Sequence, residues 1–161
     1  MILVTDTGPL NYLILIGEEA VLPKLFNSIL IPDAVVLELR QAGAPLQVRN
    51  WMERSPPWIR IRNPKGDPQT TADLTEADHA VIRLASELKA ILLVDDRRAR
   101  ALAVSDGIQT IGTIGVLELA SIKGLLDLPG ALRKLQDTNH RHSYALIEDA
   151  LRRFELRTNS E

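Results

Sequence analysis

The chain has no cysteine, which excludes disulfides and thiolate metal centres and agrees with a cytoplasmic location. Aromatic residues are scarce at 4%, whereas hydrophobic residues reach 45% of 161 positions. The interior is therefore expected to be built from Leu, Ile, Val and Ala, and the chain is too apolar to be disordered. No apolar run approaches the roughly 20 residues that a membrane-spanning helix requires. Asp6 interrupts the first apolar segment before it is long enough for a signal peptide. A formal net charge of −2 gives no global attraction for nucleic acid. Such binding would depend on local basic patches, either Arg97-Arg98 with Arg100 or Arg60 with Arg62, and solvated surface is the plainer explanation of both.

What is present is a series of short apolar runs, each ending in a polar residue or proline. Ile2-Leu3-Val4-Thr5 suits a buried strand, and Asp6-Thr7-Gly8-Pro9 ends it, with Pro9 fitted to the first turn of a helix. Helices are expected over 10–16 and 18–26. A second strand covers Ser28-Ile29-Leu30-Ile31, stopped by Pro32. Helices follow over 33–41 and 45–54, then a strand over 58–62 with Arg60 and Arg62 on one wet face. Residues 63–73 form the clearest loop, and 75–89 the most regular helix. Ala90-Ile91-Leu92-Leu93-Val94 is a strand that stops at Asp95-Asp96. A helix over 97–105, ended by Gly107, leads to a last strand over 108–111. Helices over 113–123, 129–137 and 143–157 complete the chain, and 158–161 is expected to fray. Strands separated by helices throughout indicate a parallel sheet covered on both faces, with about seven helices around five strands in a three-layer α/β/α domain. Residues 1–161 are read as one domain.

The acids are distributed unevenly over this frame. Asp6 and the Asp95-Asp96 pair stand at the carboxyl ends of strands, where open α/β sheets gather ligands and catalytic groups. Glu38 interrupts the apolar run Ala34-Val35-Val36-Leu37-Glu38-Leu39. At about 100° per residue it projects with Ala34, Val35 and Ala42. Asp78 aligns likewise with Leu74, Val81, Ile82 and Ala85. Each acid also has a structural explanation. Glu38 could pair with an arginine, Thr75 and Asp78 resemble a capping box, one of Asp95 and Asp96 suits a helix N-cap, and Asp6 suits an Asx turn. Together, however, four or five carboxylates at one crevice would repel one another unless a cation joined them. With no Cys, and with His79 off the acid face and His140 and His142 late in the chain, a hard ion such as Mg²⁺ or Mn²⁺ fits better than zinc. Such an ion could activate water against a phosphodiester.

The ordered set Asp6-Thr7-Gly8-x-Leu10, Ile31-Pro32-x-x-Val35-x-x-Glu38, Leu74-x-x-x-Asp78 and Leu93-Val94-Asp95-Asp96 resembles the PIN domain. Gly112-Thr113-Ile114-Gly115-Val116-Leu117 is similar to a further segment of a bacterial and archaeal branch related to VapC-type toxins. The resemblance covers about residues 1–125, leaving helices over 129–157 to pack on this core or on a partner. It implies a five-stranded parallel sheet in the order 3-2-1-4-5, which sets the first strand beside the fourth. It further implies Mg²⁺- or Mn²⁺-dependent cleavage of single-stranded RNA, often as the toxin of a toxin–antitoxin pair, with an antitoxin protein covering the site. Asp6 matches the first acid, Glu38 the second and Asp78 the third, while the fourth falls on Asp95 or Asp96. Many relatives in that branch carry Gly-Glu where this chain has Ala77-Asp78, so the third carboxylate is one methylene shorter here. In this reading Asp6 and Asp96 bind the metal, with Asp95 as the alternative at the fourth position. Asp78 and Glu38 complete its shell or orient the attacking water. Thr7 and Thr113 are supporting hydroxyls, although Thr113 also suits a helix N-cap. Arg97, Arg98 or Arg100 would hold the RNA backbone.

Two rivals stand beside this reading. One is a PIN-like module that binds RNA or protein without cleaving. The other is a phosphoacceptor receiver domain, which fits poorly because the acidic pair comes late and residues 108–112 carry no lysine. Leu132, Leu135, Leu146, Ile147, Leu151 and Phe154 suggest late helices that pack on the domain or build a homodimer.

Overall fold

The computed structural model describes residues 1–140 and 144–160. His142, the expected helix start at Ser143 and the fraying of Glu161 lie outside the described residues. The chain runs β1 (Ile2–Thr5), α1 (Thr7–Leu15), α2 (Leu22–Leu25), β2 (Ser28–Ile31), α3 (Asp33–Arg40), α4 (Leu46–Glu53), β3 (Ile59–Ile61) and α5 (Glu76–Leu88). It continues through β4 (Ile91–Leu93), α6 (Arg97–Ser105), β5 (Thr110–Ile111), α7 (Thr113–Ile122), α8 (Leu128–Gln136) and α9 (Tyr144–Asn159).

All strand pairs are parallel, and the sheet order is β3-β2-β1-β4-β5, as the family resemblance implies. β1 lies at the centre, with Leu3 opposite Ile29 of β2 on one side and Ile91 of β4 on the other. Leu3, Val4, Leu92, Leu93 and Val94 are fully buried, as expected for strands covered by helices on both faces. The winding direction reverses between β1 and β4, so their carboxyl ends flank the crevice of the sheet. A backbone bond from the Asp6 N–H to the Leu93 carbonyl (2.9 Å) extends the β1–β4 pairing to the first residue beyond β1.

Several boundaries differ from the sequence reading, each for a local reason. The helix expected over 18–26 divides into a single 3₁₀ turn, Glu19–Val21, and α2. Pro23 lies in the first turn of α2, where its missing N–H costs nothing but prevents a continuous helix from Glu19. The strand expected over 108–111 shortens to two residues. The Ile108 N–H bonds back to the Ala103 carbonyl and Gly107 turns left-handed (φ 78°), so this part of the segment closes α6 instead.

α5 begins with the capping box that the sequence suggested. Thr75 Oγ1 accepts from the Asp78 N–H (3.1 Å), and Asp78 Oδ2 accepts from the Thr75 N–H (2.9 Å). Thr75→Ala is expected to cost about 1 kcal/mol, read as a lower urea midpoint at unchanged slope. Beyond the motif-bearing segment, α9 packs on α7 and α8. Leu132, Leu135 and Ile147 are buried and Leu151 and Phe154 partly so, whereas Leu146 is exposed. Among the described residues, no helix is long and apolar enough to cross a membrane.

Candidate functional site

Five of the acids singled out in the sequence line one open cleft of about 450 Å³ at the carboxyl end of the sheet. They are Asp6, Glu38, Asp78, Asp95 and Asp96, joined by Thr7, Tyr12, Thr75, Asn139 and His140. Different elements deliver them. Asp6 follows the central strand, and its Oδ1 accepts from the Thr7 N–H (2.9 Å), capping α1. Glu38 is on α3, partly buried, while its neighbour Leu37 is 69% exposed. That inversion of the usual order shows that the face carrying Glu38 looks onto the site. Asp78 is in the first turn of α5, and Asp95 and Asp96 join β4 to α6.

Asp6 is the innermost of these acids, 6% exposed. Burial, then the nearby Asp78 and Glu38 carboxylates, push its carboxyl up to about 8, against a smaller opposing contribution from the Thr7 N–H. In the metal-free protein Asp6 thus holds a proton at neutral pH, and Asp78 is close enough to share a hydrogen bond with it. The raised value has a consequence for stability. Between the ordinary value of 3.8 and about 8 the native state binds more proton than the unfolded chain. This group's contribution is most favourable at low pH and declines as pH rises to about 8.

Asp95 is held differently. Its Oδ1 accepts from the Thr113 N–H (2.8 Å), and its Oδ2 accepts from the Thr113 hydroxyl (2.5 Å) and lies 3.0 Å from His140 Nε2. Burial opposes ionisation here too, but the His140 contact and the two Thr113 bonds outweigh it and hold the carboxyl below its ordinary value. An ionised carboxylate only accepts, so the contact assigns the imidazole proton to Nε2. Asp96 is exposed, and its Oδ2 caps α6 through the Ala99 N–H (2.9 Å).

The other candidates separate. Thr113 is not the N-cap of α7; Gly112 is, and Thr113 bonds Asp95 instead. Thr7 Oγ1 is buried beside Asp6 without a hydrogen-bond partner among the described residues. Arg97 is exposed at the start of α6, and Arg98 pairs in solvent with Asp73 (3.2 Å). Arg100 turns back to the Val94 carbonyl (2.7 Å) and lines a smaller neighbouring pocket with Arg153 and Glu118 instead of the acid cleft. His79 meets the Thr71 hydroxyl (3.1 Å) away from the acids.

His140 corrects the sequence reading, which set it aside for lying late in the chain. Together with Asn139 and Tyr12 it walls the cleft. The Tyr12 ring meets His140 edge-on at 4.6 Å, and the Tyr12 hydroxyl donates to Asn139 Oδ1 (3.2 Å). No local pattern announces this, because the contact joins positions 45 residues apart.

The donor set suits a hard divalent cation. It is all oxygen apart from the committed His140, and it includes the orphaned Thr7 hydroxyl and a carboxyl that stays neutral for want of a counter-charge. Among the described residues no three His, Asp or Glu side chains already converge on one point. Asp78 and Asp96 each spend one oxygen on a helix cap.

The sequence from residue 2 to residue 156 matches the model of the family DUF3368, a PIN domain. Among solved structures, the fold is similar to that of a PilT N-terminus domain protein from the hyperthermophilic archaeon Sulfolobus solfataricus P2. The identity is 16% and the TM-score 0.50, over 89% of this chain and 100% of that one, a likeness of fold alone. No curated protein matches the sequence.

Proposed function

The chain belongs to the PIN-domain family DUF3368, and from that premise we propose that it is a Mg²⁺- or Mn²⁺-dependent endoribonuclease for single-stranded RNA, acting as the toxin of a toxin–antitoxin pair. PIN domains commonly are nucleases and typically use divalent metal ions. The observation that carries the reading is the buried Asp6, raised to about 8 by burial and by the acids around it, in a cleft lined by five carboxylates.

Asp6 and Asp96 are the residues that would hold the ion. Asp78 and Glu38, which line the same cleft, would complete its shell or orient a water. When bound, the ion supplies an acidified water and neutralises charge on the phosphodiester. Asp6 would have to give up its proton to bind, and a cation would offset the crowding of its carboxylate by Asp78 and Glu38. Arg97 and Arg98, exposed at the start of α6 beside Asp96, would take RNA phosphates. Arg100 is the weaker candidate because of its bond to Val94. RNA and an antitoxin protein are the proposed partners.

Calorimetric titration with Mn²⁺ in buffers of different ionisation enthalpy is expected to show proton release below about pH 8, with affinity rising up to that pH. Binding without proton release would remove Asp6 from the ligands. A second reading, a module that binds RNA without cutting it, draws on the absence of three converging ligands among the described residues. Incubating purified protein and a single-stranded RNA with and without Mn²⁺ separates the two. Cleavage that needs Mn²⁺ supports the nuclease, and retention of intact RNA supports the binding module.

A further inference from the structure

Asp95 carries more hydrogen bonds than a capping acid needs. α6 is already capped by Asp96, so Asp95 is not needed for that helix. Across the cleft floor Asp95 accepts the first N–H of α7, and for that one contact suffices. The Thr113 hydroxyl and His140 Nε2 then both converge on Oδ2. Three of the roughly four acceptor positions of a carboxylate are thereby filled. His140 in turn packs perpendicular to the Tyr12 ring, on the helix that Asp6 caps. Its side chain is only 5% exposed, whereas Asp95 keeps 24% toward the cleft. Thr113 and His140 therefore meet on one carboxylate, and Tyr12 packs against the second of them.

We propose that His140 is a positioning residue of the acid cleft, fixing the Asp95 carboxylate jointly with Thr113 so that Asp95 offers one oriented acceptor to whatever the cleft binds. This rests on the reading of the cleft as a metal and phosphodiester site. It also divides the adjacent pair. Asp95 is the restrained acid, with one acceptor position left, while Asp96 keeps Oδ1 clear of its cap and can move toward an ion. Asn139 and His140, which follow α8 and lie outside every motif recognised in the sequence, become working parts of the site. Residues that orient a metal-binding carboxylate typically contribute 10–100-fold to affinity or activity.

The test compares full-length wild type with His140→Ala and His140→Gln, the amide of Gln restoring a donor near the Nε2 position. In metal-free protein, the ¹³C carboxylate resonance of Asp95 is expected to shift and broaden in His140→Ala and to return toward wild type in His140→Gln. With Mn²⁺ and RNA, kcat is expected to fall about tenfold in His140→Ala with KM within about twofold, and to recover at least partly in His140→Gln. An unmoved Asp95 resonance overturns the proposal. So does a His140→Ala protein that loses thermal stability but keeps wild-type kcat and Mn²⁺ affinity, since His140 would then be packing only. If wild type itself neither binds Mn²⁺ nor cuts RNA, the proposed function falls. The metal-free resonance alone then decides whether His140 restrains Asp95.

Discussion

Asp6→Asn is expected to abolish Mn²⁺-dependent RNA cleavage, by more than about 100-fold, while making the metal-free protein more stable. The two effects share one cause. Asp6 is buried and crowded by Asp78 and Glu38, so its ionised form is unfavourable without a cation. Asparagine keeps the side-chain oxygen that accepts from the Thr7 N–H and is as good an N-cap as aspartate. It removes only the capacity to ionise. The stability gain should be smallest well below the ordinary value of 3.8, where aspartate is protonated in both states, and should grow as pH rises to about 8. Thermal melts of both proteins at pH 5 and pH 8 measure this directly. A variant that still cuts RNA would refute the metal-nuclease assignment, whereas a gain independent of pH would refute the raised carboxyl.

The largest expected effect on stability comes from Leu3→Ala. Leu3 is fully buried in the central strand, with Ile29 and Ile91 as its partners on the two sides. Removing its side chain leaves a cavity with apolar walls in a close-packed interior, at a cost of about 3 kcal/mol within the usual 2–5 range. Denaturant unfolding should show a lower midpoint at constant slope. Because the same strand delivers Asp6, the surviving folded fraction should show reduced Mn²⁺ affinity. Unaltered affinity would mean that Asp6 is positioned by its cap and its bond to Leu93 rather than by strand packing.

Much of this arrangement was legible in residues 1–125, because both the strands and the acids follow local rules. Ile2–Thr5 and Ser28–Ile31 end at a polar residue or a proline, and the helical periodicity puts Glu38 and Asp78 on inward faces. Two of the capping explanations are correct, Thr75 with Asp78 and an acid of the Asp95-Asp96 pair, Asp96, on Ala99. Asp6 caps α1 through the Thr7 N–H instead of forming an Asx turn, and Gly112 takes the cap position expected of Thr113. Asp6, Asp78 and Asp96 thus serve the helices and also line the cleft. The difference between Asp95 and Asp96 was not legible. It depends on Thr113, 18 positions away, and on His140, whose partner is 45 positions away. Periodicity carries no information at such separations. Arg100 was misplaced for a related reason, since its partner is a backbone carbonyl that every residue possesses.

The outermost strands are short: β3 has three residues and β5 only two. An open parallel sheet exposes a row of unpaired N–H and C=O groups along each edge, a template on which another chain can add a strand. Here each template is too brief for that, and Arg60 places a charged, exposed side chain in the middle of β3. The purified protein should therefore resist edge-to-edge aggregation without needing a partner to cover its sheet.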